Sequence, residues 1–378
     1  MKRFDALDGW RGIAACLVAA CHLRPSVNSH LTEMALIENS YLFVDFFFVL
    51  SGFVIAANYE KRLAEGFSGW RFALLRLGRL YPLHLSVLLA FILLRLAHSA
   101  SGLGTVSAFQ PPFWSVDTII ANLLLVHSLH LFDFYTWNGP SWSISTEFYT
   151  YLLFALGVGL TKRRIVLLLL PVVIASAAAL WLLVGSMYTT YDWGLIRCIL
   201  GFSVGVLTWH AHRAAWLRPG TALELISVGL IVAFVWRAGM TGLSLAAPAL
   251  FALAVLVFAA EAGAVSRLLR APAGLWLGER SYSIYMVHVL IASLLIDAAK
   301  LSRLGGIDLI AEGRIGRQLW EGDVVYLVYF LLVLGFAAVT YRSIEVPARA
   351  GLRRIATPRI RERAGIELRS AARPAVVD

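Results

Sequence analysis

His22 closes the apolar run Ile13-Ala-Ala-Cys-Leu-Val-Ala-Ala-Cys-His22, and Arg11 stands eleven residues before it. At about 100° per residue this spacing is three turns, so on one helix the two side chains share a face, roughly 16 Å apart along the axis. An imidazole inside an apolar span is costly to keep and reads first as functional. It can act as a general base or a nucleophile, best when a carboxylate holds its other nitrogen in one tautomer. The competing reading is an imidazole at the membrane interface with an unrelated arginine below it. Two carboxylates are candidates for the partner. Asp45 enters about one turn inside a second apolar segment, and Glu147 sits at similar depth in Ser141-Trp142-Ser143-Ile144-Ser145-Thr146-Glu147. Arg197 opens a fourth segment in the same layer. Four ionisable groups from four helices in one slab are either a buried polar site or a network that neutralises itself.

A second cluster lies near the other face. Arg76-Leu-Gly-Arg79-Leu-Tyr81-Pro82 puts two arginines at i and i+3 where a span enters the membrane. Paired guanidinium groups can clamp phosphates, although ordinary basic anchoring explains the charge equally well. Two further patches carry polar groups at helical spacing. Asp45-Phe-Phe-Phe-Val-Leu-Ser51-Gly52-Phe53 offers a point of close helix approach, and Ser281, Tyr285 and His288 recur along one segment. No Walker loop, HExxH or metal-ligand pair with convincing spacing appears, so no metal is expected. His210 and His212 read as loop residues.

The elements that must hold these groups are transmembrane helices. The chain has 378 residues, 59% hydrophobic and only 15% charged, against about 25% charged in soluble domains. Mean hydropathy is +0.74. The fold class is therefore all-α, a polytopic membrane bundle. Ten spans are predicted, at about 8–24, 41–59, 79–97, 142–160, 164–185, 193–210, 222–238, 243–260, 282–299 and 324–341. The shorter apolar stretch 118–131 contains Asn122, His127 and His130. If it does not cross, most of the 33 lysines and arginines fall on the side of the N-terminus. If it crosses, that asymmetry collapses. The positive-inside rule therefore predicts ten spans, both termini cytoplasmic, and 118–131 re-entrant or interfacial. The +10 net charge is thus a topology signal, with some contact to anionic lipid, and not a nucleic-acid footprint. Asp5 and Asp8 before the first apolar run argue against a cleaved signal peptide. Cys16, Cys21 and Cys198 lie in apolar runs and read as packing residues. Residues 1–349 form the expected membrane domain and 350–378 a basic, partly disordered tail.

Taken in order, five motifs resemble the acyltransferase-3 family of integral membrane O-acyltransferases. They are Leu7-Asp-Gly-Trp10-Arg11-Gly12 with His22, Asp45 to Phe53, Arg76-x-x-Arg79-Leu-Tyr-Pro82, Trp142-Ser143-x-x-x-Glu147, and Ser281-Tyr-Ser-Ile-Tyr285. A terminal Glu345-x-Pro347-x-Arg349 extends the match. Trp10 departs from the pattern, where leucine is common. The resemblance implies a bacterial inner-membrane enzyme that moves an acyl group, usually acetyl, from cytoplasmic acetyl-CoA to a hydroxyl. The acceptor would be an extracytoplasmic or lipid-linked carbohydrate of the cell envelope, in some settings alongside polysaccharide-assembly proteins. It further implies catalytic roles for His22, Arg11 and Glu147, to which the depth reading adds Asp45 as the other candidate partner of His22. Coenzyme A would be held at Arg76, Arg79 and Tyr81, and the acceptor near Arg197, Trp142 and Ser143. A transporter or flippase for a lipid-linked glycan, without covalent chemistry, is the rival reading, and a membrane scaffold the third.

Overall fold

The protein was analysed as a computed structural model describing residues 3–101, 110–214, 219–303 and 306–356. It is an α-helical bundle. In order the helices are α1 (Asp5–Leu23), α2 (Ala35–Glu38), α3 (Phe43–Ile55), α4 (Lys61–Ala64) and α5 (Gly69–Ser101). Next come α6 (Val116–Leu123), α7 (Trp142–Thr161), α8 (Ile165–Leu183), α9 (Gly194–Arg213) and α10 (Thr221–Ala238). The last are α11 (Ala247–Phe258), α12 (Ala264–Leu269), α13 (Pro272–Ser302), α14 (Leu319–Thr340) and α15 (Val346–Ala356). A two-strand ladder, β1 (Ile310–Ala311) with antiparallel β2 (Arg314–Ile315), is the one sheet among the described residues.

Among the described residues, seven helical segments are long and apolar enough to cross a membrane. α1 and α7 align with two more of the ten expected spans but carry the polar residues of the site. Asp5, Asp8, Arg11 and His22 interrupt one, and Ser143, Ser145 and Glu147 the other. The segment Gly242–Phe258 is apolar but shorter. The spans expected at 79–97 and 282–299 lie inside helices of 33 and 31 residues. Their first turns hold Arg71, Arg76 and Arg280, which a hydropathy window rejects although helical hydrogen bonding simply continues through them. The stretch 118–131 contains only α6, of eight residues, where about 20 are needed to cross. Leu125 and His130, both at positive φ, then turn the chain. α15 runs through residue 349 to Ala356, so the expected domain boundary falls within a helix; the tail 357–378 lies outside the described residues.

The packing is inverted relative to a soluble bundle. Leu160, Leu182, Leu327 and Leu331 are exposed, whereas Asp45, Arg76, Arg197, His288 and Glu345 are buried. That pattern suits a protein whose outer solvent is hydrocarbon. Two backbone crossings set its centre. A Cβ on Gly278 would lie 2.2 Å from Asp8 O, so α1 and α13 meet backbone to backbone. A Cβ on Gly52 would lie 2.0 Å from Phe202 O, and α3 and α9 cross in the same way. Tyr326 and Tyr329 of α14 donate to Ala20 O and Ala19 O at 3.1 Å each, tying a third helix to the end of α1. The three cysteines are free thiols, Cys198 fully buried.

Candidate active site

Between α1, α3, α5, α7 and α13 lies a cavity of about 100 Å³ lined by three arginines and one carboxylate: Arg11, Arg76, Arg79 and Glu147. The α1–α13 crossing supplies the first. Arg11 donates from Nε to Ser281 Oγ and from Nη2 to Gly278 O, both at 2.7 Å, and pairs with Asp8 at 3.0 Å. Arg76 is held differently: Nη2 donates to Tyr59 Oη at 3.0 Å and the guanidinium lies 4.9 Å from the Tyr59 ring centre. Arg79, one turn on, lines the same space and makes no hydrogen bond or ion pair among the described residues. A fork of donors with no acceptor, inside a partly dehydrated cavity, is what an anionic group would complete.

Glu147 faces this space from α7. Ser51 Oγ and Tyr151 Oη each donate to its Oε1 at 2.5 Å. Ser51 reaches it from α3, and Tyr151 because it lies one helical turn beyond Glu147. At the far side of the cavity Ser143 and Tyr285 are hydrogen-bonded at 2.9 Å. The cavity is therefore rich in positive charge at the Arg11 end and lined with hydroxyls toward the other.

His22 lies at the opposite end of α1 and is not part of that lining. Its ring is exposed, and Nδ1 sits 2.9 Å from Val18 O. A carbonyl can only accept, so Nδ1 carries the hydrogen and Nε2 presents its lone pair. Among the described residues no carboxylate is hydrogen-bonded to His22. Its ring neighbour is His288, with centroids 4.8 Å apart. His288 is in turn 5.7 Å from the Tyr285 ring, so the aromatic step His22–His288–Tyr285 leads to the cavity.

Asp45 and Arg197 meet each other instead. Arg197 Nε and Nη2 donate to the two oxygens of Asp45 at 2.8 and 2.7 Å, and both side chains are fully buried. Arg197 also donates to Thr189 O at 2.9 Å and stands 5.3 Å from the Trp142 ring centre. Tyr81 is outside the cavity lining, with its ring 6.2 Å from that of His84. The structure thus brings together Arg11, Arg76, Arg79, Glu147 and Ser143, and keeps Asp45 with Arg197 and Trp142 in a separate cluster. Ser51, Tyr151 and Ser281 complete the lining beyond the catalytic and binding residues expected from the sequence. The i+4 spacing of Tyr151 from Glu147 was the available signal for one, and the Ser281–His288 pattern for another. No group of three or more His, Cys, Asp or Glu able to hold a metal occurs among the described residues.

The family described as Acyltransferase domain, Acyl_transf_3, matches residues 4–342, which spans every helix that lines the cavity. The chain belongs to the acyltransferase-3 family. It is similar to acyltransferase MdmB of Streptomyces mycarofaciens, 29% identical over 331 residues, covering 76% of this chain and 79% of the relative. It also resembles Protein 2 in picA locus of Rhizobium radiobacter, 41% identical over 88 residues, which is 23% of this chain and 43% of that protein. No solved structure matches. This acyltransferase is accordingly a multi-pass membrane protein.

Proposed function

We propose that the protein transfers an acyl group, most simply acetyl, from coenzyme A to a hydroxyl of an extracytoplasmic or lipid-linked carbohydrate. The observation that carries this reading is Arg79, a guanidinium without a hydrogen-bond or ion-pair partner among the described residues, beside Arg11 and Arg76 and at the opposite end of the bundle from an exposed histidine. The phosphates of the donor bind these arginines at the cytoplasmic mouth, and the slender pantetheine arm threads the cavity toward Tyr285. The bulkier acceptor meets His22 from the other side. His22 Nε2 takes the hydroxyl proton as the oxygen bonds the acyl carbon; the carbon–sulfur bond breaks and the sulfur leaves with a proton. Glu147, held by Ser51 and Tyr151, sets the charge of the passage opposite Arg79, while the Asp45–Arg197 pair braces α3 against α9 and positions Trp142 beside the acceptor. The distribution of lysine and arginine supports cytoplasmic termini, and the relatives from Streptomyces mycarofaciens and Rhizobium radiobacter support a bacterial cytoplasmic membrane.

The test uses purified protein in nanodiscs with acetyl-CoA, reading free thiol release in the wild type and in His22→Ala. Slow hydrolysis or a burst that disappears in His22→Ala is the expected result. Folded protein that neither binds the donor nor releases thiol would return the lead to the transport reading.

A further inference from the structure

Among the described residues no carboxylate is hydrogen-bonded to His22 to take up the charge it gains as a base, yet one acceptor beside it is unused. His288 Nδ1 is 2.6 Å from Tyr285 O, so that nitrogen carries the hydrogen and Nε2 keeps its lone pair. The side chain is 0% exposed, and Nε2 has no hydrogen-bond partner. A buried acceptor left bare is costly, about 1–3 kcal/mol, and asks for a reason. The groups facing the ring are His22 from α1, Tyr285 on its own helix, and Tyr329 from α14. Tyr329 spends its hydroxyl on Ala19 O and His288 O, so it does not serve Nε2. The ring beside that of His288 is His22's, whose Nδ1–H now rests on Val18 O.

We propose that His288 is a positioning residue that completes His22 as a two-imidazole relay, its Nε2 accepting the Nδ1 proton of His22. The proposal rests on the acyl-transfer reading. As the acceptor oxygen bonds the acyl carbon, its proton moves to His22 Nε2. His22 Nδ1–H turns from Val18 O to His288 Nε2 and gives up its proton there. When the carbon–sulfur bond breaks, His288 returns the proton to Nδ1 and His22 Nε2–H protonates the leaving sulfur. Both rings end as they began, and the products are the ester and the free thiol.

His288→Gln keeps a hydrogen-bond acceptor but cannot take the proton. It should lower kcat about 10- to 100-fold with the donor KM within twofold. His288→Ala should be rescued by added imidazole and not by pyrazole, which fills the same space but is far less basic. Rescue by both, or by neither, overturns the relay, because filling a cavity does not depend on basicity. A proton inventory on the wild type needs no variant: rates in mixed light and heavy water should curve for two protons in motion, and a straight line counts against the proposal. Thiol release that is indifferent to His22→Ala sinks the acyl-transfer reading itself. Release that needs His22 but runs at full rate in folded His288→Gln overturns the relay alone.

Discussion

Asp45 and Arg197 are bonded to each other through both carboxylate oxygens, at 2.7 and 2.8 Å, in a setting from which solvent is excluded. Removing one partner strands the other charge. Asp45→Ala should therefore destabilise the protein by about 3–5 kcal/mol, read as a fall in the midpoint of thermal unfolding in detergent. Replacing both, as Asp45→Leu with Arg197→Met, should recover much of that loss. A double variant as unstable as the single would mean that the pair is not the source of the effect.

Arg79 should behave in the opposite way, since its guanidinium makes no hydrogen bond or ion pair among the described residues. Arg79→Ala is expected to leave thermal stability within about 0.5 kcal/mol and to raise the donor KM at least about tenfold, the worth of a charged hydrogen bond. A pure fall in kcat with donor affinity unchanged would argue against the clamp. Arg76→Ala should lose stability as well, because Arg76 is stacked on and bonded to Tyr59.

Glu147 receives two hydrogen bonds on one oxygen, so its donors are coupled. Tyr151→Phe and Ser51→Ala should each lower kcat/KM a few-fold. The double variant should lose more than the product of the two, because only then does Oε1 stand without a donor. Simple multiplicativity in a kinetic double-mutant cycle would show that the two hydroxyls act independently.

The glycines at the helix crossings should divide sharply from those facing outward. Gly278→Ala places a Cβ against Asp8 O, a backbone atom that cannot swing away, and should cost about 1–3 kcal/mol together with the Arg11–Gly278 bond. Gly229→Ala on α10 meets nothing within 4 Å and should be neutral or stabilising by about 0.5–1 kcal/mol. Unfolding midpoints of the two variants, measured side by side, check the contrast.

The membrane class and most helices were legible because hydrocarbon demands long apolar runs, and sequence records those directly. Helix ends were not. At Gly69 and Pro272 charged turns carry the helix past the apolar core, where hydropathy falls but hydrogen bonding does not. Depth placed His22, Asp45, Glu147 and Arg197 in one layer, and depth alone cannot say which way a side chain turns. The rotation of α3 points Asp45 at Arg197 and Ser51 at Glu147, six residues apart on one helix. The phasing of α13 likewise decides that His288 meets His22, and nothing local to either residue encodes that contact.

The α1–α13 crossing gives the two helices a joint office. α1 carries Arg11 and, three turns on, His22, and α13 carries Ser281, bonded to Arg11, and His288, whose ring is tilted against that of His22. Two stiff rods locked at their glycines thus act as a gauge block: the separation between the two ends of the bundle is written in helical rise, at about 1.5 Å per residue, and not in loop geometry. The connecting segments at 110–138 and 184–193 are anchored on this frame, as by Asn138 on Met286 O and Thr189 O on Arg197, and do not set its length.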